Sequence, residues 1–146
     1  MTTEISADRL GFLLSDVTRF FRAAFEREIA RAGLGITAGE ARALVRIAAR
    51  KGARQSEIAV ELGIEPMTLS RYVDGLERSG LVARRADPDD RRAKCVETTD
   101  AADAVLDQIR ALSDTLIERL EAGLDAAEKA TLRKALKTMR DNFANL

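Results

Sequence analysis

Apolar residues recur at spacings of three and four between positions 10 and 25, where Leu10, Leu13, Leu14, Val17, Phe20, Phe21, Ala24 and Phe25 line one face. That period predicts an amphipathic helix, ended by Gly33 as a left-handed cap. The stripe is wider than one core contact needs, and four of the five phenylalanines lie in or near it. A second helix is predicted from Thr37, because TAGE has the Thr-x-x-Glu spacing of a capping box. Leu44, Val45, Ile47 and Ala48 supply its inner face, and Gly52 marks its end. QSEIAVELG reads as a two-turn helix burying Ile58, Ala59 and Leu62. PMTLSRYVDGLERSG reads as the next, opened by Pro66 and burying Leu69, Val73 and Leu76. Gly75 inside that helix costs roughly 1 kcal/mol relative to alanine, which points to a close backbone approach.

Only GIEP separates these two short helices, the arrangement of a helix-turn-helix. After them, LVARR and AKCVET have no helical period, and the intervening ADPDDRR is rich in turn formers, so a β-hairpin wing is predicted. From Asp100 the helical period returns, with Val105, Ile109, Leu112, Leu116 and Leu120 on one stripe. After a break near Gly123, Leu132, Leu136, Met139, Phe143 and Leu146 form another. The expected fold is mainly α, a single domain over 1–146. It comprises a winged helix-turn-helix lobe over 37–99 and terminal helices over 8–33 and 100–146. So small a lobe cannot cover three long apolar helices. A second copy of the chain is expected to do so, making the terminal helices a dimerisation stem.

Composition narrows the functions this fold could serve. With 46% hydrophobic and 33% charged residues in 146, a folded domain needs neither disulfide nor metal. No apolar run approaches the roughly 18 residues of a membrane span. The opening MTTEISADRLGF lacks the basic-then-apolar order of a secretion signal, and the one cysteine fits a reducing compartment. A cytoplasmic protein without membrane contact is expected. The chain has no histidine, which removes the commonest acid–base and nucleophile pairs and nearly all zinc sites. It has no glycine-rich phosphate loop, and Asp87, Asp89 and Asp90 lack the spacing of a calcium loop. Neither an enzyme nor a cofactor is expected. The net charge is zero, but residues 40–96 carry twelve bases against nine acids, and residues 97–146 seven against ten. The positive charge is local to the predicted lobe.

The element order closely resembles that of the MarR-type (multiple antibiotic resistance regulator) winged-helix transcription factors. Over 55–99, SEIAVELG, LSRYVDGLERSGLV and the Asp-x-Arg-Arg signature DDRR at 89–92 carry the likeness. The resemblance implies a cytoplasmic homodimer that binds near-palindromic double-stranded DNA. In many such proteins a small phenolic or lipophilic effector, or an oxidant, releases the DNA. A winged helix that docks a protein partner is the alternative, disfavoured by the retained Arg71, Arg91 and Arg92. Two positions depart from the family pattern. Arg54 stands where a threonine often caps the third helix, and Glu65 replaces a short polar cap before the fourth. A cation at a helix N-terminus opposes the dipole unless a phosphate lies nearby.

In a helix-turn-helix the start of the second helix reads bases, which here brings forward Met67, Thr68, Ser70 and Arg71. Arg71 could instead be a solvated charge paired with Asp74, three residues on. Gln55 and Ser56 are placed to anchor a phosphate at a helix N-terminus. By resemblance, Asp89 pairs with an arginine inside the wing and fixes its shape, while another arginine at the tip enters the minor groove. Arg91 is assigned the first role and Arg92 the second, although the two could be exchanged. Arg84, Arg85 and Lys94 are phosphate candidates. An effector pocket is implied between the lobe and the stem, with Phe12, Phe20, Phe21 and Ala41 as its lining, each equally readable as core or dimer contact. Arg19, Arg22 and Arg46 are available to a carboxylate. Cys95, on a wing strand, reads as a buried structural thiol rather than an oxidant sensor.

Overall fold

Capping chemistry and glycine ends divide the chain into its elements. The computed structural model describes residues 2–144. In order these are α1 (Leu10–Ala32), α2 (Ala38–Ala49), α3 (Gln55–Leu62), α4 (Pro66–Arg78), β1 (Val82–Ala86), β2 (Lys94–Thr98), α5 (Ala102–Leu120) and α6 (Ala126–Phe143). The predicted box at Thr37 forms in both directions. Glu40 N donates to Thr37 Oγ1 at 3.1 Å, and Thr37 N donates to Glu40 Oε1 at 2.8 Å. A second box, unread in the sequence, starts α6, where Glu128 N donates to Asp125 Oδ1 at 2.8 Å and Asp125 N to Glu128 Oε1 at 3.0 Å. Gly63 ends α3 at φ 65°, a left-handed value that turns the chain into α4 within three residues. Pro66 supplies the first helical position of α4.

The core runs through α2, α3, α4 and the hairpin. Leu44, Ile47, Ile58, Leu69, Val73, Leu76 and Val96 are essentially sealed from solvent, with Ile29 of α1 and Ile109 of α5 closing it from the other side. Burying each such side chain stabilises the fold by about 1.5–3 kcal/mol, before the entropy of ordering it is subtracted. The α2–α4 crossing depends on two glycines. A Cβ on Gly75 would lie 1.9 Å from the Glu40 carboxylate of the capping box, and one on Gly39 would lie 2.4 Å from the Tyr72 ring. Gly39 is in the first turn of α2, where alanine gains little helix propensity. Gly39→Ala is therefore expected to lower stability by about 1–2 kcal/mol, seen as a lower urea midpoint at unchanged slope.

The wing strands pair antiparallel, with Arg84 opposite Val96 and Ala86 opposite Lys94. The residue before α3 joins them, since Arg54 bridges to Cys95 and Val96 N donates to Ala53 O at 3.2 Å. The N-terminus of α3 is thereby tied to the wing. Cys95 is buried, as the structural reading expects.

The terminal helices contrast with this lobe. Only Phe25 and Ile29 of α1 are buried, and no residue of α6 is. Of fifteen exposed large hydrophobic residues among those described, eleven lie on α1, at the end of α5 and on α6. Leu146, the last residue of the predicted stripe, lies outside the described residues. No described helix is long and apolar enough to cross a membrane.

Candidate nucleic-acid interface

The start of α4 projects outward. Met67 is 79% exposed, Arg71 is exposed, and Thr68 and Ser70 are partly so, while Leu69 between them is buried. Burial of Leu69 and Val73 fixes the helix so that its other face is presented to solvent. No side chain caps α3, so the amides of its first turn at Gln55 and Ser56 are not taken up by a cap. Gln55 is partly buried and Ser56 exposed.

The cations sort into two groups. Arg54 and Arg84 are neutralised internally. Arg71, Arg91 and Lys94 form no ion pair among the described residues, and Arg92, 96% exposed, has only Asp90 at 3.9 Å. Arg85 faces solvent, with Glu97 3.7 Å away. The solvated pairing of Arg71 with Asp74 does not form, because Asp74 holds Arg84 instead at 2.6 Å.

Arg84 departs from its expectation as a phosphate contact. Its side chain is only 19% exposed and its guanidinium turns inward onto Gln55, Ser70 and Asp74. The shaping aspartate also differs. Asp89 is exposed and forms no ion pair among the described residues, whereas Asp87 is buried and accepts from Arg54 Nε. Asp87 Oδ1 also accepts from Asp89 N at 2.8 Å, and Asp90 Oδ1 from Arg92 N at 3.0 Å. The turn is built by Asp87 and Asp90 because their carboxylates can reach backbone amides two residues on. Arg91 and Arg92 are both left facing outward. The unusual cap at Arg54 is explained by the same pair, with the Asp87 carboxylate supplying the counter-charge.

Hydrogen bonding from Asp89 N, and then from Arg54 with its charge, outweighs burial and holds the Asp87 carboxyl below the usual carboxylate range. A lowered folded-state value means that the stabilisation is complete above the unfolded value and is lost as pH falls through the folded one. Asp87→Asn is therefore expected to lower the melting temperature at pH about 7, with the gap from wild type closing as pH falls below the ordinary aspartate value of about 4.

An apolar cleft of about 420 Å³ lies between α1, α2 and α5, lined by Val17, Phe21, Phe25, Val45 and Leu120 with Arg22, Arg42, Thr18 and Ser113. Of the four expected lining residues, Phe21 is there and three are not. Ala41 is sealed in the core, and Phe12 and Phe20 stand exposed on another face of α1, Phe20 beneath the Arg19 guanidinium at 4.3 Å. The i, i+4, i+8 series Val17–Phe21–Phe25 is the sequence signal for the face that lines this cleft. Arg42 pairs with Glu26 at 3.0 Å, and Arg46 faces Glu61 at 3.9 Å, while Arg22 has no ion pair among the described residues.

Residues 36–94 match the model of the MarR family. Among solved structures, the transcriptional regulator PA3341 is 33% identical, with a TM-score of 0.79 over 94% of this chain and 100% of that one. A MarR-family transcriptional regulator from Silicibacter pomeroyi is 26% identical, with a TM-score of 0.82 over 97% of both chains. Another, from Rhodococcus sp. RHA1, is 27% identical, with a TM-score of 0.80 over 94% of this chain and 96% of that one. Helix-turn-helix, wing and flanking helices all fall within these matches, and the chain belongs to the MarR family of transcriptional regulators.

Proposed function

We propose that the protein is a homodimeric DNA-binding repressor of a near-palindromic operator, relieved by a small-molecule effector. The observation that carries this reading is the sorting of charge. Arg84 and Arg54 are held by Asp74 and Asp87, whereas Arg71, Arg91 and Lys94 form no ion pair among the described residues and Arg85 and Arg92 have only carboxylates 3.7 and 3.9 Å away. A phosphate backbone supplies the missing counter-charge, so a chain of zero net charge still presents a cationic surface. In this reading Met67, Thr68, Ser70 and Arg71 face base edges in the major groove, and Gln55, Ser56, Arg85 and Lys94 hold phosphates. Arg92, with Arg91, reaches the minor groove, where narrow tracts concentrate negative potential.

The uncovered stripes on α1, α5 and α6 favour a two-fold partner, which would carry a second recognition helix. Two copies of α4 must lie about 34 Å apart to meet successive major grooves. The cleft between α1, α2 and α5 sits where lobe and stem meet. A lipophilic ligand there, with any acid group at Arg22, would shift that spacing and lower affinity by its preference for the second state. An effective inducer that leaves the separation of the two α4 helices unchanged would contradict this route.

Titrating the wild-type protein with its own upstream intergenic DNA at about 50 and 200 mM salt tests the reading. Tight binding that weakens at least about a hundredfold across that range is expected. Binding that ignores salt, or its absence from a folded dimer, would contradict it.

A further inference from the structure

The inward turn of Arg84 joins three parts of the lobe through one side chain. From β1, Arg84 Nε donates to Gln55 Oε1 at 3.0 Å and Nη1 to Asp74 Oδ1 at 2.6 Å. Nη2 donates to Ser70 O at 2.9 Å and to Ser70 Oγ at 3.3 Å. Glu77 Oε1 lies 3.4 Å from Nη1. A planar guanidinium can satisfy these directions at once, and the single ammonium of lysine cannot.

Resting on the DNA-binding reading above, we propose that Arg84 is the positioning residue of the DNA-reading surface. It locks wing, α3 and recognition helix into one unit and sets the hydrogen-bond polarity of Gln55 and Ser70. The Gln55 carbonyl is occupied by Arg84, so its amide NH₂ remains as a donor at the N-terminus of α3. Ser70 Oγ accepts from Arg84, so its hydroxyl proton is directed elsewhere. Two side chains that could each donate or accept are thus presented to DNA as donors, matched to phosphate oxygens and to the acceptor edges of bases. Arg84 acts through them without touching DNA.

The test compares wild type, Arg84→Lys and Arg84→Gln on a duplex selected by the wild-type dimer and on an unrelated duplex, across a salt series. A direct phosphate contact would survive Arg84→Lys and would lose salt dependence in Arg84→Gln. A positioning residue gives another pattern. Both variants are expected to bind the selected duplex roughly tenfold more weakly, the scale of one lost base contact, with the salt slope and the affinity for unrelated DNA unchanged. General unfolding would weaken both duplexes together and would overturn the proposal, as would a lysine variant that binds like wild type. Gln55→Glu tests the polarity without disturbing Arg84, because it keeps the oxygen that Arg84 holds and replaces the donor. Its melting temperature is expected to hold while affinity for the selected duplex falls at least about tenfold. Unchanged affinity would overturn the donor assignment. Wild type that binds no duplex would remove the DNA-binding reading itself.

Discussion

Leu132→Asp combined with Leu136→Asp is expected to yield a monomer and to weaken operator binding by about a hundredfold or more. Both leucines are on α6, 39% and 41% exposed, and α6 contributes no buried residue to the lobe. The core around Leu44, Leu69 and Val96 should therefore survive, and the effect should appear in assembly before it appears in melting. The loss of affinity follows from geometry. A dimer holds its second recognition helix at high effective concentration over the second half-site, and a monomer must bind each half-site independently. Sedimentation and a binding titration on the same sample check both parts. A double variant that stays dimeric would show that the exposed stripe on α6 is not the interface.

Arg92→Ala is expected to weaken operator binding by about 1–3 kcal/mol, roughly five- to 150-fold. At 96% exposure, Arg92 has almost no contact within the fold to lose, so stability should be unaffected. Two copies are removed per dimer, and the slope of log affinity against log salt should become shallower by about 2. Titrations at several salt concentrations would check this. Unchanged affinity and slope would place the wing away from DNA and favour docking to a protein partner.

Periodicity made the helices legible, because burying an apolar face demands a regular repeat, and the hairpin was legible from the loss of that period around a run of turn formers. The Thr37 box and the closeness at Gly75 were readable because local spacing and helix propensity carry them. The capping box at Asp125 had the same spacing and could have been read. The partners of Arg84 and Asp87 could not. Arg84 reaches Gln55 across 29 positions and Arg54 reaches Asp87 across 33, so the pairing is decided by how α3 docks on the wing. Local spacing offered Asp74 to Arg71 only as the alternative to DNA contact, and the shaping role of Asp89 came from the family resemblance. The lining of the cleft was not legible for a similar reason. Phe12, Phe20 and Phe21 are equally apolar, and only the packing of α1 on α2 and α5 separates the face that lines the cleft from the faces left exposed.

The most direct test of DNA reading by paired α4 helices is sequencing of duplexes that the wild-type protein selects from a random pool. Enrichment of a near-palindrome whose half-sites are centred about 10 base pairs apart, or a multiple of one turn, is the expected result. A folded dimer that enriches no sequence over the starting pool would contradict it.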